Sequence, residues 1–143
     1  MTNLKFQILI PTLGGREGYL YWTIRTCLDQ DYPSFEILVS NNGGSPDVHK
    51  VVTAFNDPRI KYIETDSLLP MAAHWDFAVA HADGDVLTII GDDDALMPNA
   101  LAKVNDVFSQ HQAVECVTHF PGQYFWPDFH DPSYKNRYQF RSG

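Results

Sequence analysis

Short apolar runs alternate with stretches of helical period along most of this chain, and that alternation limits what it can fold into. Phe6-Gln7-Ile8-Leu9-Ile10 predicts a buried strand ending at Pro11. Leu20, Ile24 and Leu28, with Cys27 beside them, predict a helix over about Gly18 to Gln30, stopped by Tyr32-Pro33. Phe35 to Val39 is a second strand and runs into the turn cluster Asn41-Asn42-Gly43-Gly44. Ser45 as N-cap and Pro46 at the first helical position open a second helix, with Val48, Val51, Val52 and Phe55 as its apolar face. Arg59 to Glu64 is a third strand. Pro70 opens a third helix with Met71, Trp75, Ala78 and Ala82 in one stripe, Met71 and Trp75 reading as core. Val86 to Ile90 is the most strand-like run, Pro98 begins a helix carrying Leu101, Val104 and Phe108, and Ala113 to Phe120 reads as a fifth strand.

Strands separated by helices of about a dozen residues predict an α/β fold, a mostly parallel sheet with helices on both faces. Ligands of such sheets bind beyond the carboxyl ends of the strands. That rule selects three loops, Pro11 to Glu17, Ser40 to Ser45 and Gly91 to Leu96. A length of 143 residues suits one domain with a core that needs no metal or disulfide staple. The α/β unit is expected over 1–120. Residues 121–143 hold Tyr124, Phe125, Trp126, Phe129, Tyr134, Tyr138 and Phe140 without a clear period. A segment this aromatic packs on the sheet or expects a partner, a second copy of the chain being one candidate.

A net charge of −8 argues against non-specific nucleic-acid binding and makes a phosphate ligand a puzzle that some cation must resolve. No apolar run approaches the roughly 20 residues that span a bilayer. Met1 to Leu9 lacks a signal-peptide pattern, so a cytoplasmic location is expected. Cys27, in a helix, and Cys116, in a strand, lie in no metal-ligand spacing and read as two reduced core thiols, a single disulfide being the alternative.

Asp92-Asp93-Asp94 follow directly on an apolar strand and Gly91. Adjacent carboxylates repel one another, and a divalent cation removes the conflict. Hard oxygen ligands suit Mg²⁺, Mn²⁺ or Ca²⁺ rather than zinc, and a Mg²⁺-type site uses one or two carboxylates together with substrate phosphates. The cation would then bridge carboxylates and a diphosphate. An acidic loop before a helix N-terminus is the competing reading.

Five segments in register carry a resemblance: Ile8-Leu9-Ile10-Pro11-Thr12, Gln30-Asp31-Tyr32-Pro33, Phe35 to Gly43, Ala82-Asp83-Gly84-Asp85, and Gly91-Asp92-Asp93-Asp94-Ala95-Leu96-Met97-Pro98. From about Phe6 to Val104 the chain resembles family 2 glycosyltransferases of the GT-A fold. The resemblance implies that Pro11 and Thr12 line the pocket of a nucleotide-diphosphate sugar and that Asn41 and Asn42 stand at its base. It implies that Asp92, Asp93 and Asp94 hold the ribose and a divalent cation, Mn²⁺ or Mg²⁺, on the diphosphate. Asn41-Asn42 replace the family's usual carboxylate pair, and an amide still reads a base edge. Aligning the family's Asp-x-Asp-Asp puts Gly91 at its first position. Asp92-x-Asp94 is the other alignment, so which carboxylate meets the metal stays open.

The implied activity is metal-dependent sugar transfer with inversion to an unknown acceptor. The general base of that reaction matches nothing here, so the chain is expected to be the donor-binding part of a longer enzyme, or a non-catalytic nucleotide-sugar-binding module. Asp128 and Asp131 read as ordinary loop aspartates. Arg16 lies in the first loop, within reach of a phosphate or simply solvated. Arg59 reads as structural, His74 and His81 as surface histidines, and Trp126 as packed or free rather than stacked on a sugar. Gly14-Gly15-Arg16 resembles the first loop of sugar nucleotidyltransferases, but Pro11-Thr12 separate it from the strand. The same Pro11-Thr12 stand where a phosphoacceptor receiver domain needs an acidic pair.

Overall fold

A computed structural model describes residues 3–118. Its sheet has four parallel strands in the order β3-β2-β1-β4, with β1 over Phe6–Thr12, β2 over Phe35–Asn41, β3 over Ile60–Glu64 and β4 over Val86–Ile89. The helices between and after them are α1 (Glu17–Leu28), α2 (Pro46–Ala54), α3 (Met71–Ala80) and α4 (Ala100–Gln110). The chain steps outward from β1 to β2 to β3, then places β4 on the opposite side of β1. The strand order therefore reverses at β1, which makes the carboxyl edge of β1 and β4 the crevice where such sheets take ligands.

Register follows the apolar pattern. Phe6, Ile8 and Ile10 of β1 lie beside Phe35, Ile37 and Val39 of β2, and the pairing ends at Thr12 and Asn41. This face meets Leu20, Ile24 and Cys27 of α1, Val48 and Val52 of α2 and Leu101 of α4 in one core layer. Each large aliphatic side chain fully buried there stabilises the fold by about 1.5–3 kcal/mol. A slip of one residue would turn that whole set to the other face. The second face carries Leu9, Leu38 and Ser40, covered by α3 through Ala78 and His74. Helices on both faces are thus as expected.

Several expectations need correction. The first strand does not stop at Pro11 but runs on to Thr12. Thr12 O accepts from Asn42 N on the β2 side, so the amide position of Pro11 faces the β4 side, where the ladder has already ended at Leu9 and Ile89. The missing N–H costs no ladder bond there. No strand forms over 113–118, and Cys116 is exposed rather than a core thiol, while Cys27 is buried and its thiol is pushed up to about 12 by desolvation. The stripe expected on α3 is rotated. Met71 is 70% and Trp75 42% exposed, and His74 with Ala78 takes the buried side. The apolar run of β4 is only half covered, Leu87 and Ile89 remaining exposed. Residues 119–120 of the expected fifth strand, the aromatic segment 121–143, Trp126, Asp128 and Asp131 lie outside the described residues.

Polar side chains tie α4 to the first half. Gln30 Nε2 donates to Met97 O at 2.8 Å and its Oε1 accepts from Leu101 N at 3.2 Å, satisfying a first-turn amide of α4. Asn105 Oδ1 accepts from Tyr32 OH at 3.0 Å and from Leu4 N at 3.3 Å. Arg59 is structural as expected, forked onto Asp57 and set over the Phe35 ring. Its guanidinium holds the Asp57 carboxyl below the usual carboxylate range.

Candidate functional site

The three loops chosen from the sequence meet at one edge of the sheet. Thr12, the last residue of β1, donates from Oγ1 to Asp92 Oδ2 at 2.6 Å across the point where strand order reverses. Thr12 Oγ1 also accepts from Gly14 N at 3.1 Å, which folds the first loop back on the strand. Asp92 is buried because the loop after β4 turns inward over α1. Thr23 Oγ1 bonds both Asp92 O at 3.0 Å and Asp94 O at 2.8 Å and so fixes the backbone of the aspartate run.

Arg16 lies at the N-cap of α1, where its guanidinium reaches two aspartates. Nη2 is 2.6 Å from Asp92 Oδ1 and Nη1 is 2.7 Å from Asp93 Oδ2. The second contact is an aligned hydrogen bond. The first is not: no N–H points along it, and Asp92 Oδ1 is buried without a hydrogen-bond partner despite the nearby charge. Among the described residues one other buried side-chain atom shares that condition, Asn41 Oδ1. Buried polar atoms are almost always paired, so two orphans at one sheet edge single it out. The charge puzzle posed by the sequence thus has a partial answer within the chain, since Arg16 offsets Asp92 and Asp93.

The asparagines divide their work. Asn41 Nδ2 donates to Ser45 O and to Tyr62 OH, both at 2.8 Å, and Tyr62 OH donates in turn to Glu64 Oε2 at 2.6 Å. Burial pushes the Tyr62 phenol above its ordinary value, and the Glu64 bond adds to that rise. Asn42 is engaged at both ends of its amide. Oδ1 accepts from Leu69 N at 2.8 Å and from Thr65 Oγ1 at 3.2 Å, and Nδ2 donates to Leu69 O at 2.8 Å. It therefore holds the segment between β3 and α3 against the end of β2. Just before it, Ser40 Oγ and His74 Nε2 share a buried hydrogen bond of 2.8 Å. Desolvation pushes His74 below its ordinary value, opposed by a hydrogen bond with the Ser40 backbone, and its burial corrects its reading as a surface histidine. His81 is exposed as expected.

The aspartate run does not act as one block. Asp92 turns in to Thr12, Asp93 faces Arg16, and Asp94 Oδ2 accepts from Gly91 N at 2.8 Å. No group of three or more acidic, histidine or cysteine side chains gathers as a metal cage among the described residues. A smaller cradle exists. A methyl group built on Gly91 would lie 2.9 Å from Asp94 Oδ2 and 3.0 Å from Asp93 Oδ1, so two carboxylate oxygens converge where a side chain would stand. Two carboxylates satisfy the protein share of a Mg²⁺-type shell, and the residues present fit such a cation. Thr23, Tyr62, Thr65 and Glu64 were not foreseen. Thr23 carried a signal, being a polar residue in the buried stripe of α1 with Leu20, Ile24 and Cys27.

Comparison with known proteins follows from this geometry. Residues 7–142 match the model of the glycosyl transferase family 2. The chain is 34% identical over 119 residues to a protein of Escherichia coli (strain K12) named as a colanic acid biosynthesis glycosyl transferase, covering 82% of this chain and 40% of that protein. It is 30% identical over 101 residues to the GalNAc(5)-diNAcBac-PP-undecaprenol beta-1,3-glucosyltransferase of Campylobacter jejuni, covering 68% and 32%. The fold superposes on S. aureus TarS 1-349 with a TM-score of 0.70 at 19% identity, covering 76% of this chain and 33% of that one. It superposes on the mannosyltransferase PcManGT from Pyrobaculum calidifontis, solved with GDP-Man and Mn²⁺, with a TM-score of 0.68 at 18% identity over 76% and 33%. The chain therefore spans between a third and two fifths of these relatives' length, and its sheet is of the GT-A type. No helix among the described residues is long and apolar enough to cross a membrane. Matched over residues 7–142 by one family model, the chain belongs to family 2 of the glycosyltransferases.

Proposed function

We propose that the carboxyl edge of β1, β2 and β4 binds a nucleotide-diphosphate sugar with a divalent cation, Mn²⁺ or Mg²⁺, and that the whole protein transfers the sugar to an acceptor with inversion. One observation carries the reading: the 2.6 Å bond from Thr12 to a buried Asp92 whose second oxygen accepts no hydrogen bond, placed at the strand-order reversal. Solved relatives of the same fold hold UDP-GlcNAc or GDP-Man with Mn²⁺, which supports the same class of ligand here.

The residues then take distinct parts. Pro11 and Thr12 form the floor under the nucleotide, and Thr12 keeps Asp92 turned to the ribose. Asn41 stands at the base. Asn42 acts through the segment at 65–69 that it anchors. Asp93 and Asp94 hold the cation over Gly91, where no side chain intrudes. Thr23 prevents the two backbone carbonyls it bonds from swinging out of line. The bound cation neutralises the charge that develops on the departing diphosphate. The base that deprotonates the acceptor hydroxyl is sought in the remaining length of the protein. The fraction of its relatives' length that this chain spans favours a second reading, a donor-binding part without turnover of its own.

Melting curves with UDP, GDP, CDP and dTDP, each with and without Mn²⁺, test the proposal. Binding to the native state stabilises by about 2.7 kcal/mol at a hundredfold excess over the dissociation constant. The expected result is a shift with one nucleotide that requires Mn²⁺ and is lost in Asp92→Asn or Asp93→Asn. No shift with any of the four overturns donor binding. A shift without sugar transfer from the matching donor selects the second reading.

A further inference from the structure

Arg16 is paired in a way that leaves the buried Asp92 Oδ1 without an aligned hydrogen bond. A guanidinium binds a carboxylate best with two parallel N–H bonds to one partner. Here the fork is split between Asp92 and Asp93, and only the Asp93 arm is aligned. The Asp92 side chain is 3% exposed and held by Thr12, whereas that of Arg16 is 51% exposed. The aspartate is the fixed member of the pair and the arginine the movable one. The loop that carries Arg16 contains Gly14 and Gly15 at φ +83° and +80°, and a methyl group built on Gly15 would meet nothing within 4 Å. Gly14 is packed against Ser45 and Val48, so the freedom to move lies at Gly15 and in the half-exposed Arg16 side chain.

Charge adds a second argument. Asp92 and Asp93 carry two negative charges, and Arg16 returns one. A divalent cation beside Asp93 would return two and would repel the guanidinium already there. A donor diphosphate brings negative charge to the same edge and offers the planar Arg16 guanidinium two phosphoryl oxygens to bind in a bidentate pair.

We infer that Arg16 is an exchangeable internal counter-cation: it pairs Asp92 and Asp93 in the donor-free protein, yields Asp93 to the divalent cation and Asp92 to the ribose, and moves to the diphosphate. This inference rests on the donor-site reading above. It gives the −8 chain a way to hold its acidic loop closed before any donor arrives.

The test separates the two halves of the exchange. Mn²⁺ affinity of the nucleotide-free chain is measured from the free-ion electron paramagnetic resonance signal for wild type, Arg16→Ala and Arg16→Gln. UDP and GDP affinities are measured calorimetrically at saturating Mn²⁺. Both variants should bind Mn²⁺ alone about tenfold more tightly and the nucleotide about tenfold more weakly, and Arg16→Lys should keep Mn²⁺ affinity near wild type. Arg16→Gln keeps two methylenes of the stem and a polar uncharged end, so a loop defect peculiar to the alanine variant cannot imitate the pattern. Unchanged or weaker Mn²⁺ binding in both variants, while wild type binds Mn²⁺ and nucleotide, overturns the exchange alone. Tighter Mn²⁺ with unchanged nucleotide binding overturns the move to the diphosphate. A wild-type chain that binds neither Mn²⁺ nor nucleotide overturns the donor-site reading and the exchange with it.

Discussion

His74 is a titratable side chain buried between α3 and β2, held by Ser40 Oγ. Its pKa in the folded chain lies below the ordinary 6.5 because burial disfavours the imidazolium. The unfolded chain then binds the proton more readily than the folded one, so stability is full above the unfolded value and falls as pH drops through it. Melting temperatures recorded between pH 7.5 and 5 should decline more steeply for wild type than for His74→Gln, with the two curves parallel above pH 7.5. Equal slopes throughout would show that this imidazole is not desolvated. The burial of His74 could not be read in advance, because it depends on a serine 34 positions away. Asn42 was legible as a residue of the site edge but not as an anchor, since its partners at Thr65 and Leu69 become neighbours only through β3. Arg16 was legible as a loop cation near the site. Its preference for two aspartates over solvent was not, since ion pairing between positions 16 and 92 depends on the crossing of β1 and β4.

Elements came through the sequence better than faces did. The four strands and four helices all lie where apolar period and Pro or Gly punctuation put them, within a few residues. The apolar period on α3 predicts a stripe through Met71, Trp75, Ala78 and Ala82, and a second stripe through His74 and Ala78 shares only Ala78 with it. The sheet takes the second, because small Ala78 allows close approach and Ser40 supplies a partner for the imidazole. Met71→Lys should therefore shift stability by no more than about 0.5 kcal/mol. Ala78→Lys should cost roughly 3 kcal/mol or more by burying an unpaired charge. Urea titrations of both variants check the rotation, and comparable losses would restore the original stripe. The fifth strand failed for a different reason. Apolar composition at 113–118 is a preference only, and a strand needs a ladder partner, which β4 does not provide to this segment.

At the scale of the whole molecule, topology was the legible part. Four parallel strands put every strand end on one side, and the order β3-β2-β1-β4 puts the reversal beside β1. The first fact follows from alternation, so the loops of the site could be named from the sequence, whereas the strand order is supplied by the structure alone. The hydrogen bonds between those loops depend on side-chain geometry that periodicity does not contain. Their span has a consequence in time. Thr12 and Asp92 are 80 positions apart, and β1 pairs with β4 only after β2 and β3 have been made. The layer of Phe6, Ile8, Ile37, Val39, Val48 and Val52 needs no residue beyond α2, so it can condense first. Closing the far larger loop to β4 comes afterwards, at a cost in chain entropy. Thr12→Val should accordingly speed unfolding several-fold and leave the refolding rate almost unchanged in stopped-flow chevrons, whereas slowed refolding would place that bond in the nucleus. A nascent chain that has released β1 to β3 owns most of its hydrophobic layer and none of its Thr12–Asp92 clasp, so the part that would meet a sugar donor matures after the first half of the sheet.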